Sequence, residues 1–167
     1  MSDAASVRVE HHALQAHLEA IGKVADSVGE TSVEQTRAGV ENVYEFLNHH
    51  LRPHMQAEDQ VLYPLLDHLL GTLSATAALR RDHRSITTLI DQLADLRRAL
   101  QGGALDRDLV HPLRRTLYGL YLLLTSHFAK EDELYFPLLD ERLDAAAAED
   151  LARRMREVML GKFKFAF

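Results

Sequence analysis

The sequence predicts an all-α protein: an up-down-up-down antiparallel four-helix bundle with an additional short C-terminal helix. Apolar residues recur at helical spacing in five segments, and no stretch is predicted to be a strand. The loops between segments are short, which makes sequential helices antiparallel. The 167 residues are expected to form one domain, 1–167, with the bundle at about 5–141 and the C-terminal helix at about 144–160.

The first two helices are indicated by the residues at their ends. The first is expected over 7–28 and ends at Gly29. Thr31 and Glu34 have capping-box spacing and begin the second. The first apolar stripe consists of Leu14, Leu18, Ile21, Ala25 and Val28. The second stripe runs into ionisable residues, and consists of Val43, Leu47, His50, His54, Glu58, Val61 and Leu65.

The third helix is expected to start at Ser74, after Gly71, and to end before Gly102 and Gly103. Its buried face carries Ile86, Ile90 and Leu93.

Asp106 or Asp108 is expected to cap the fourth helix, with Pro112 in its first turn. The stripe of this helix consists of Leu113, Thr116, Leu120, Leu123, His127, Glu131, Leu134 and Leu138. A fifth amphipathic segment at about 144–160 is expected to pack across one end of the bundle or against a partner. The pattern does not place the Phe-rich tail GKFKFAF.

Composition excludes several classes of function. The net charge of −6 gives no sign of a nucleic-acid or anionic-membrane partner. The absence of cysteine excludes disulfides, zinc–thiolate sites and iron–sulfur clusters, and it fits a cytoplasmic location. No secretory signal is visible, and no apolar stretch approaches the ~18 residues that span a bilayer.

One fourteen-residue pattern occurs twice, 73 positions apart: HMQAEDQVLYPLLD at 54–67 and HFAKEDELYFPLLD at 127–140. Each copy places a His and a Glu at i and i+4, on one helix face and one turn apart. The duplication extends to the preceding helices, where His11 and His83 are followed by apolar residues at the same offsets. Each half therefore contributes a lone His and a His-x-x-x-Glu pair.

Counting residues tests whether these places lie at one height in the bundle. Straight second and third helices would not bring their histidines to the same height. His54 would lie roughly 25 Å from the end of its helix at Gly71, whereas His83 lies only roughly 14 Å from the start of its helix at Ser74. A proline would resolve the difference by removing a hydrogen bond and crowding the preceding turn. We therefore predict a break or kink at Pro64, and a similar one at Pro137.

Six ionisable side chains then converge inside the bundle: His11, His54, Glu58, His83, His127 and Glu131. Burying the two carboxylates without compensation would cost several kcal/mol each. A pair of divalent cations removes that cost, and imidazole with carboxylate suits iron, manganese or zinc. The alternative interpretation is two solvated helix pairs, which the matched repetition disfavours.

The pattern His…HxxxE…His…HxxxE over about 5–140 resembles the haemerythrin-like proteins, the HHE cation-binding domain family. The resemblance implies a four-helix bundle with two non-haem iron ions, and an oxo, hydroxo or water bridge as an option. The implied ligands are His11, His54, Glu58, His83, His127 and Glu131. It also implies that both carboxylates bridge, that one iron binds His11 and His54, and that the other binds His83 and His127. Ferritin-like di-iron proteins instead place the acid before the His.

One position departs from the family pattern. Oxygen-carrying haemerythrins have a fifth histidine one turn after the helix 3 ligand, and Thr87 stands there in this chain. Fewer imidazoles leave open or water-filled metal positions. The expected function is therefore reaction with, or sensing of, oxygen, peroxide or nitric oxide, rather than reversible oxygen carriage. The alternatives are an iron-storing, iron-donating or iron-sensing module, and a structural zinc or manganese site.

Several residues have two interpretations. His12 is the alternative to His11, but helical geometry turns it nearly opposite the apolar stripe. His50 is either an auxiliary ligand or a core or rim histidine, and its counterpart Leu123 favours the latter. Asp59 and Asp132 either accept hydrogen bonds from the N–H groups of ligand histidines or are solvated acids. Tyr44 or Tyr121 is the candidate phenol near the site. Surface or loop positions are expected for His17, His49, His68 and His111.

Overall fold

A computed structural model describes residues 4–102 and 105–161, and the described chain is an all-α bundle, as predicted. Gly103 and the tail residues 162–167 lie outside the described residues. The α-helices are α1 (Ala4–Gln15), α2 (Leu18–Ser27), α3 (Val33–Phe46), α4 (Arg52–Ala57), α5 (Tyr63–Leu69), α6 (Ala77–Gly102), α7 (Arg107–Lys130), α8 (Phe136–Arg142) and α9 (Ala145–Met159). Three π-helical turns, Leu47–Leu51, Glu58–Leu62 and Glu131–Tyr135, connect α3 to α4, α4 to α5 and α7 to α8.

These segments form four long arms and one short helix. The first arm is α1 and α2, the second runs from α3 through α5, the third is α6, and the fourth is α7 and α8. The C-terminal helix α9 packs against α1, α4 and the π-helical turn Glu58–Leu62, so it closes one end of the bundle. Within the described ranges, none of the helices has both the length and the apolar run needed to cross a bilayer.

The expected single helix over 7–28 is wrong, because it is broken at Ala16 and His17. The His17 amide bonds to the Leu14 carbonyl at 3.0 Å, a tighter turn than the α-helix. The His17 ring stacks on Phe46 at 4.5 Å between centroids. No glycine or proline marks this position, so the break had no local signal.

Helix starts differ from expectation by one to three residues. Ser32 and Gln35, not Thr31 and Glu34, form the capping box of α3. The third arm starts at Ala77 rather than Ser74. There the buried Asp67 accepts the Thr76 amide at 2.9 Å. Side-chain hydrogen bonds decide these starts, because several Ser, Thr and Asp residues compete for each cap.

The fourth arm begins as one of the two expected options. Asp106, not Asp108, is the cap of α7, and it accepts the Leu109 amide at 3.0 Å. Pro112 lies in the second turn of α7 rather than the first. The fifth helix agrees with its expected range and is capped by Asp144.

The interruptions expected at Pro64 and Pro137 are π-helical turns rather than stops. Each turn ends two residues before its proline, and the same relation holds for Leu47–Leu51 and Pro53. Proline has no amide hydrogen and crowds the carbonyl of the preceding turn. A wider i→i+5 turn just upstream, such as the Tyr63 amide bonded to the Glu58 carbonyl, lets the helix continue past it.

The π-helical turns shift the apolar face of the helix. Each adds one residue to a turn and rotates the following side chains by about 100°. Leu66 and Leu139 are buried, one position after the expected Leu65 and Leu138. Leu134, expected in the stripe, is 62% exposed.

The core consists of two apolar clusters. The larger lies among α2, α3, α6 and α7, and includes Ile21, Leu47, Ile90 and Leu120. The smaller lies mainly among α5, α8 and α9, and also includes Leu79 of α6 and residues around the π-helical turn Glu58–Leu62. Along the arms, the ionisable residues of the duplicated pattern fall between the two clusters, so the fold places them in the middle of the molecule.

Candidate metal centre

Six side chains from all four arms meet between the two apolar clusters. They are His11 on α1, His54 on α4, His83 on α6, His127 on α7, and Glu58 and Glu131, each the first residue of a π-helical turn. None of the six exposes more than 3% of its surface. The structure therefore brings together every residue that the repeated pattern singles out.

Each carboxylate reaches two histidines on different arms. One oxygen of Glu58 lies 2.9 Å from His54 Nε2 and the other 3.3 Å from His83 Nε2. Glu131 has the same arrangement, with His11 Nε2 at 2.8 Å from one oxygen and His127 Nε2 at 3.6 Å from the other. Each glutamate thus presents one oxygen toward each of two histidine pairs.

The candidate ligand atoms fall into two overlapping groups. His11, His54 and Glu58 form one, and Glu58, His83, His127 and Glu131 form the other. Within each group the ligand atoms lie within 4.8 Å of one another. Glu58 belongs to both groups, and Glu131 also contacts His11, so this arrangement suits two cations sharing two carboxylates.

A layer of aspartates lies behind the imidazoles. His83 Nδ1 is 3.1 Å from Asp59, and His11 Nδ1 is 3.1 Å from Asp132. His127 Nδ1 is 3.5 Å from Asp82. Acceptors in this position fix the imidazole tautomer and aim the other nitrogen at the centre. The sequence left Asp59 and Asp132 as either acceptors or solvated acids. Both carboxylates lie within ion-pair distance of a candidate histidine, but no described residue forms a hydrogen bond with the Nδ1 atoms of His11 and His83. Asp82 adds a third carboxylate, beside His127.

The duplication continues into a third layer of contacts that the sequence pattern did not reveal. The Arg80 guanidinium lies 5.3 Å above the Tyr63 ring and 3.4 Å from Asp67. In the other half the Arg8 guanidinium lies 5.5 Å above the Phe136 ring and 2.7 Å from Asp140. Each arginine stands three residues before the lone histidine of its helix.

Tyr63 is the phenol that reaches the centre, which corrects the expectation for Tyr44 or Tyr121. Its fully buried hydroxyl donates to Glu131 at 2.7 Å and lies 3.0 Å from His83 Nε2. Tyr44 instead packs under Arg97 on the outside of the bundle, 4.6 Å from the guanidinium. The clue in the sequence was the duplication, because the position equivalent to Tyr63 is Phe136.

The electrostatics favour ionised carboxylate beside protonated phenol. Burial favours the neutral form of Glu58, but the imidazoles of His54 and His83 outweigh it and hold the pKa of Glu58 well below its usual range. Burial, together with the negative charges of Glu58 and Glu131, raises the pKa of Tyr63 well above its usual range. The centre thus holds negative charge at Glu58 and a retained proton on the phenol.

The residues present fit a cation. Both oxygens of Glu58 are buried, and neither accepts a hydrogen bond from a described residue despite the imidazoles beside them. A buried, ionised carboxylate without hydrogen bonds is costly unless a cation compensates it. Imidazole nitrogens with carboxylate oxygens are a donor set that iron, manganese and zinc accept.

The other histidines stay outside the centre. His12 is exposed on α1, while its neighbour His11 is fully buried. His50 is exposed and lies near the Phe46 ring, so it is a rim residue rather than a ligand. The expected surface histidines are all exposed: His17, His49, His68 and His111.

This fold and donor set define a helical-bundle protein with a metal-binding His/Glu centre. The family model for the hemerythrin HHE cation binding domain matches residues 3–139, and matches again at residues 74–159. The chain therefore belongs to the hemerythrin HHE cation-binding family, as its repeated motif indicated. The second match begins near the start of the third arm, where the duplicated half begins.

A curated relative shares part of the chain. The zinc finger protein BRUTUS of Arabidopsis thaliana is 30% identical over 99 residues, which is 59% of this chain. The match covers only 8% of BRUTUS, so the chain spans a small part of that relative's length.

The His83 environment predicts how stability depends on pH in protein stripped of metal by a chelator. Burial lowers the pKa of His83, but the carboxylates of Asp59 and Glu58 outweigh it and raise the pKa from 6.5 to about 9. Because the folded pKa is the higher one, this stabilisation is complete below pH 6.5 and is lost as the pH rises through 9. Urea unfolding should show a loss on the order of 3 kcal/mol across that window.

The matched control is an exposed histidine. His83→Asn should remove this part of the pH dependence, and His50→Asn should retain it. An unfolding free energy that is flat or rises across the same window would contradict the assignment of charge to His83.

Proposed function

We propose that this chain holds two non-haem iron ions and reacts with, or senses, a small oxidant such as oxygen, hydrogen peroxide or nitric oxide in the cytoplasm. The observation that carries the proposal is the pair of buried glutamates, each of which presents one oxygen to each of two histidine pairs. A pair of redox metals would use both overlapping groups of candidate ligand atoms. A single structural ion needs only one of those groups.

The ligand roles follow from the contacts. His11 and His54 would hold one iron, and His83 and His127 the other. Glu58 and Glu131 would each bridge the two. Tyr63 adds an oxygen beside the His83 pair, where the other half has the apolar Phe136 ring against His11. The two metal positions are therefore chemically unequal, although the sequence is duplicated.

Two ferrous ions would supply one electron each, which matches the two electrons and two protons needed to reduce one peroxide to two waters. Tyr63 holds one of the two protons at its hydroxyl, 2.7 Å from Glu131, and the second would come from solvent. Phe128 and Phe136 contact the His11 ring at 4.2 and 4.9 Å and shield that side of the centre.

Thr87 supports reaction rather than reversible carriage of oxygen. It lies one turn after His83, half-buried, and offers no ring nitrogen. Six protein ligands shared by two metals leave coordination positions that a small molecule can take.

A second candidate function, an iron-sensing module, is favoured by the way α1 is held. Among the described side chains of α1, His11 alone is fully buried. His11 lies 2.8 Å from Glu131 and 3.1 Å from Asp132, and Gln15 also donates to Asp132 at 2.5 Å. A helix whose one fully buried described side chain is a candidate metal ligand depends in part on metal for its docking.

Metal analysis of variants tests the ligand roles. Glu58→Ala should remove both irons, because its carboxylate serves both metal positions. His11→Ala should weaken the binding of one iron only. His12→Ala is the matched control and should keep the wild-type content of about two irons per chain. Elemental analysis of protein purified without added metal provides the measurement. Zinc in place of iron, or metal lost in His12→Ala and kept in His11→Ala, contradicts the proposal.

Rapid mixing tests the redox function. Reduced, iron-loaded protein should change its visible spectrum within seconds of mixing with oxygen, hydrogen peroxide or nitric oxide. Tyr63→Phe should slow the peroxide step by about a hundredfold at unchanged iron content, because it removes a positioned proton donor. Tyr135→Phe is the control, since that hydroxyl donates to the Ala75 carbonyl outside the centre. A spectrum unchanged by all three oxidants rules out the redox function.

Hydrogen exchange tests the sensing candidate. The amides of α1 should exchange faster after iron is removed with a chelator, and in His11→Ala even when iron is supplied. His12→Ala should behave like wild type. The amides around Ile90 in α6 serve as the internal reference, because they lie in the larger core. Equal protection of α1 with and without iron counts against this candidate.

A further inference from the structure

A groove lies outside the centre, between α2 and α7 and beside the break at Ala16 and His17. Its volume is about 320 Å³. The apolar part of its wall is formed by Leu18, Tyr121 and Phe128, and the acidic part by Glu19, Asp132 and Glu133. The groove opens to solvent, because Thr125 and the two glutamates on its wall are exposed.

One aromatic ring separates this groove from the centre. Phe128 lines the groove and is only 1% exposed. The same ring contacts the His11 ring edge-on at 4.2 Å, and lies 5.9 Å from His127 and 6.3 Å from His54. Three of the four candidate histidines thus have ring centroids within 6.3 Å of the centroid of a ring that also lines the groove.

The charge at the groove selects among small molecules. Its lining includes three carboxylates and, among the described lining residues, no basic side chain. The whole chain also carries a net charge of −6. Such a wall repels anions and leaves neutral molecules unaffected.

We propose that this groove is the route by which small neutral molecules reach the metal centre, with Phe128 as the gate that limits their size. The inference rests on the proposed function, because it supplies that centre with its reactant. The class of molecule it selects is neutral and of two or three heavy atoms at most, such as oxygen, nitric oxide or hydrogen peroxide. Anions and bulky hydroperoxides are disfavoured by the acidic wall and the ring.

Blocking the groove should slow both the entry of a small molecule to the centre and its release. Thr125→Trp places an indole on the groove wall, where the native threonine is exposed. Association and dissociation rates of nitric oxide with the reduced, iron-loaded protein should both fall about tenfold, with unchanged equilibrium affinity. Thr88→Trp is the matched control, because Thr88 is an exposed helical threonine that also donates to the carbonyl four residues earlier.

Charge and size are tested by two further variants. Glu19→Gln combined with Glu133→Gln should speed azide binding to the oxidised protein at low ionic strength, with little gain at high salt and none for hydrogen peroxide. Phe128→Leu should raise the rate with tert-butyl hydroperoxide relative to hydrogen peroxide. Both readouts compare two molecules on one protein, so a general loss of stability does not imitate them.

The outcomes separate this inference from the proposed function. Azide and nitric oxide binding require only an accessible metal. Slowed binding in Thr125→Trp without any oxidant reaction therefore leaves the route standing and removes the redox function. Nitric oxide association at equal rates in Thr125→Trp and Thr88→Trp overturns the route. A slower association with unchanged dissociation means a distorted site and also overturns it, as does a protein to which neither azide nor nitric oxide binds.

Discussion

The structure depends on the burial of four imidazoles and two carboxylates between two apolar clusters. Burying an isolated ionised group there lowers the folding stability by several kcal/mol, which is more than a single helix–helix contact contributes. The surrounding layers reduce that cost: aspartates behind three of the histidines, a phenol on Glu131, and an arginine above each flanking aromatic ring. The remaining compensation would come from a bound cation, since a cation is the partner that two glutamates and four histidines can share. The chain's membership of the HHE cation-binding family agrees with this.

The duplication makes the two halves of the centre alike, and one substitution makes them differ. Equivalent positions supply the candidate ligands, the arginines, and two of the three outer aspartates, Asp59 and Asp132, from both halves. Tyr63 and Phe136 break this equivalence, so one histidine pair has a proton-holding hydroxyl and the other an apolar edge. The two sides of the candidate centre are therefore chemically unequal. The groove behind Phe128 lies on the apolar side, next to His11.

The π-helical turns connect local sequence to the placement of the centre. Glu58 and Glu131 are each the first residue of such a turn, and a proline stands two residues after the end of each turn. The extra residue rotates the next side chains along the helix, so that Tyr63 points inward to the centre while Leu66 and Leu139 enter the smaller core. With plain α-helical spacing, the inward stripe would run through Leu65 and Leu138. The wide turns therefore decide which phenol and which leucines face inward.

The sequence by itself determined the helical class, the bundle order and the His and Glu side chains that meet, because periodicity and a repeated motif are local properties of the chain. Resemblance to a known family added the expectation of iron, and family membership was then confirmed. The tertiary structure decided the break before Leu18, the cap at Ser32, the hydrogen bond from Thr76 to Asp67 at the start of α6, the register after each π-helical turn, and the choice of Tyr63 over Tyr44 and Tyr121. These features depend on which of several competing local options packs best against distant residues. Contacts such as His17 on Phe46 and Tyr63 on Glu131 span long stretches of chain and leave no periodic trace in it.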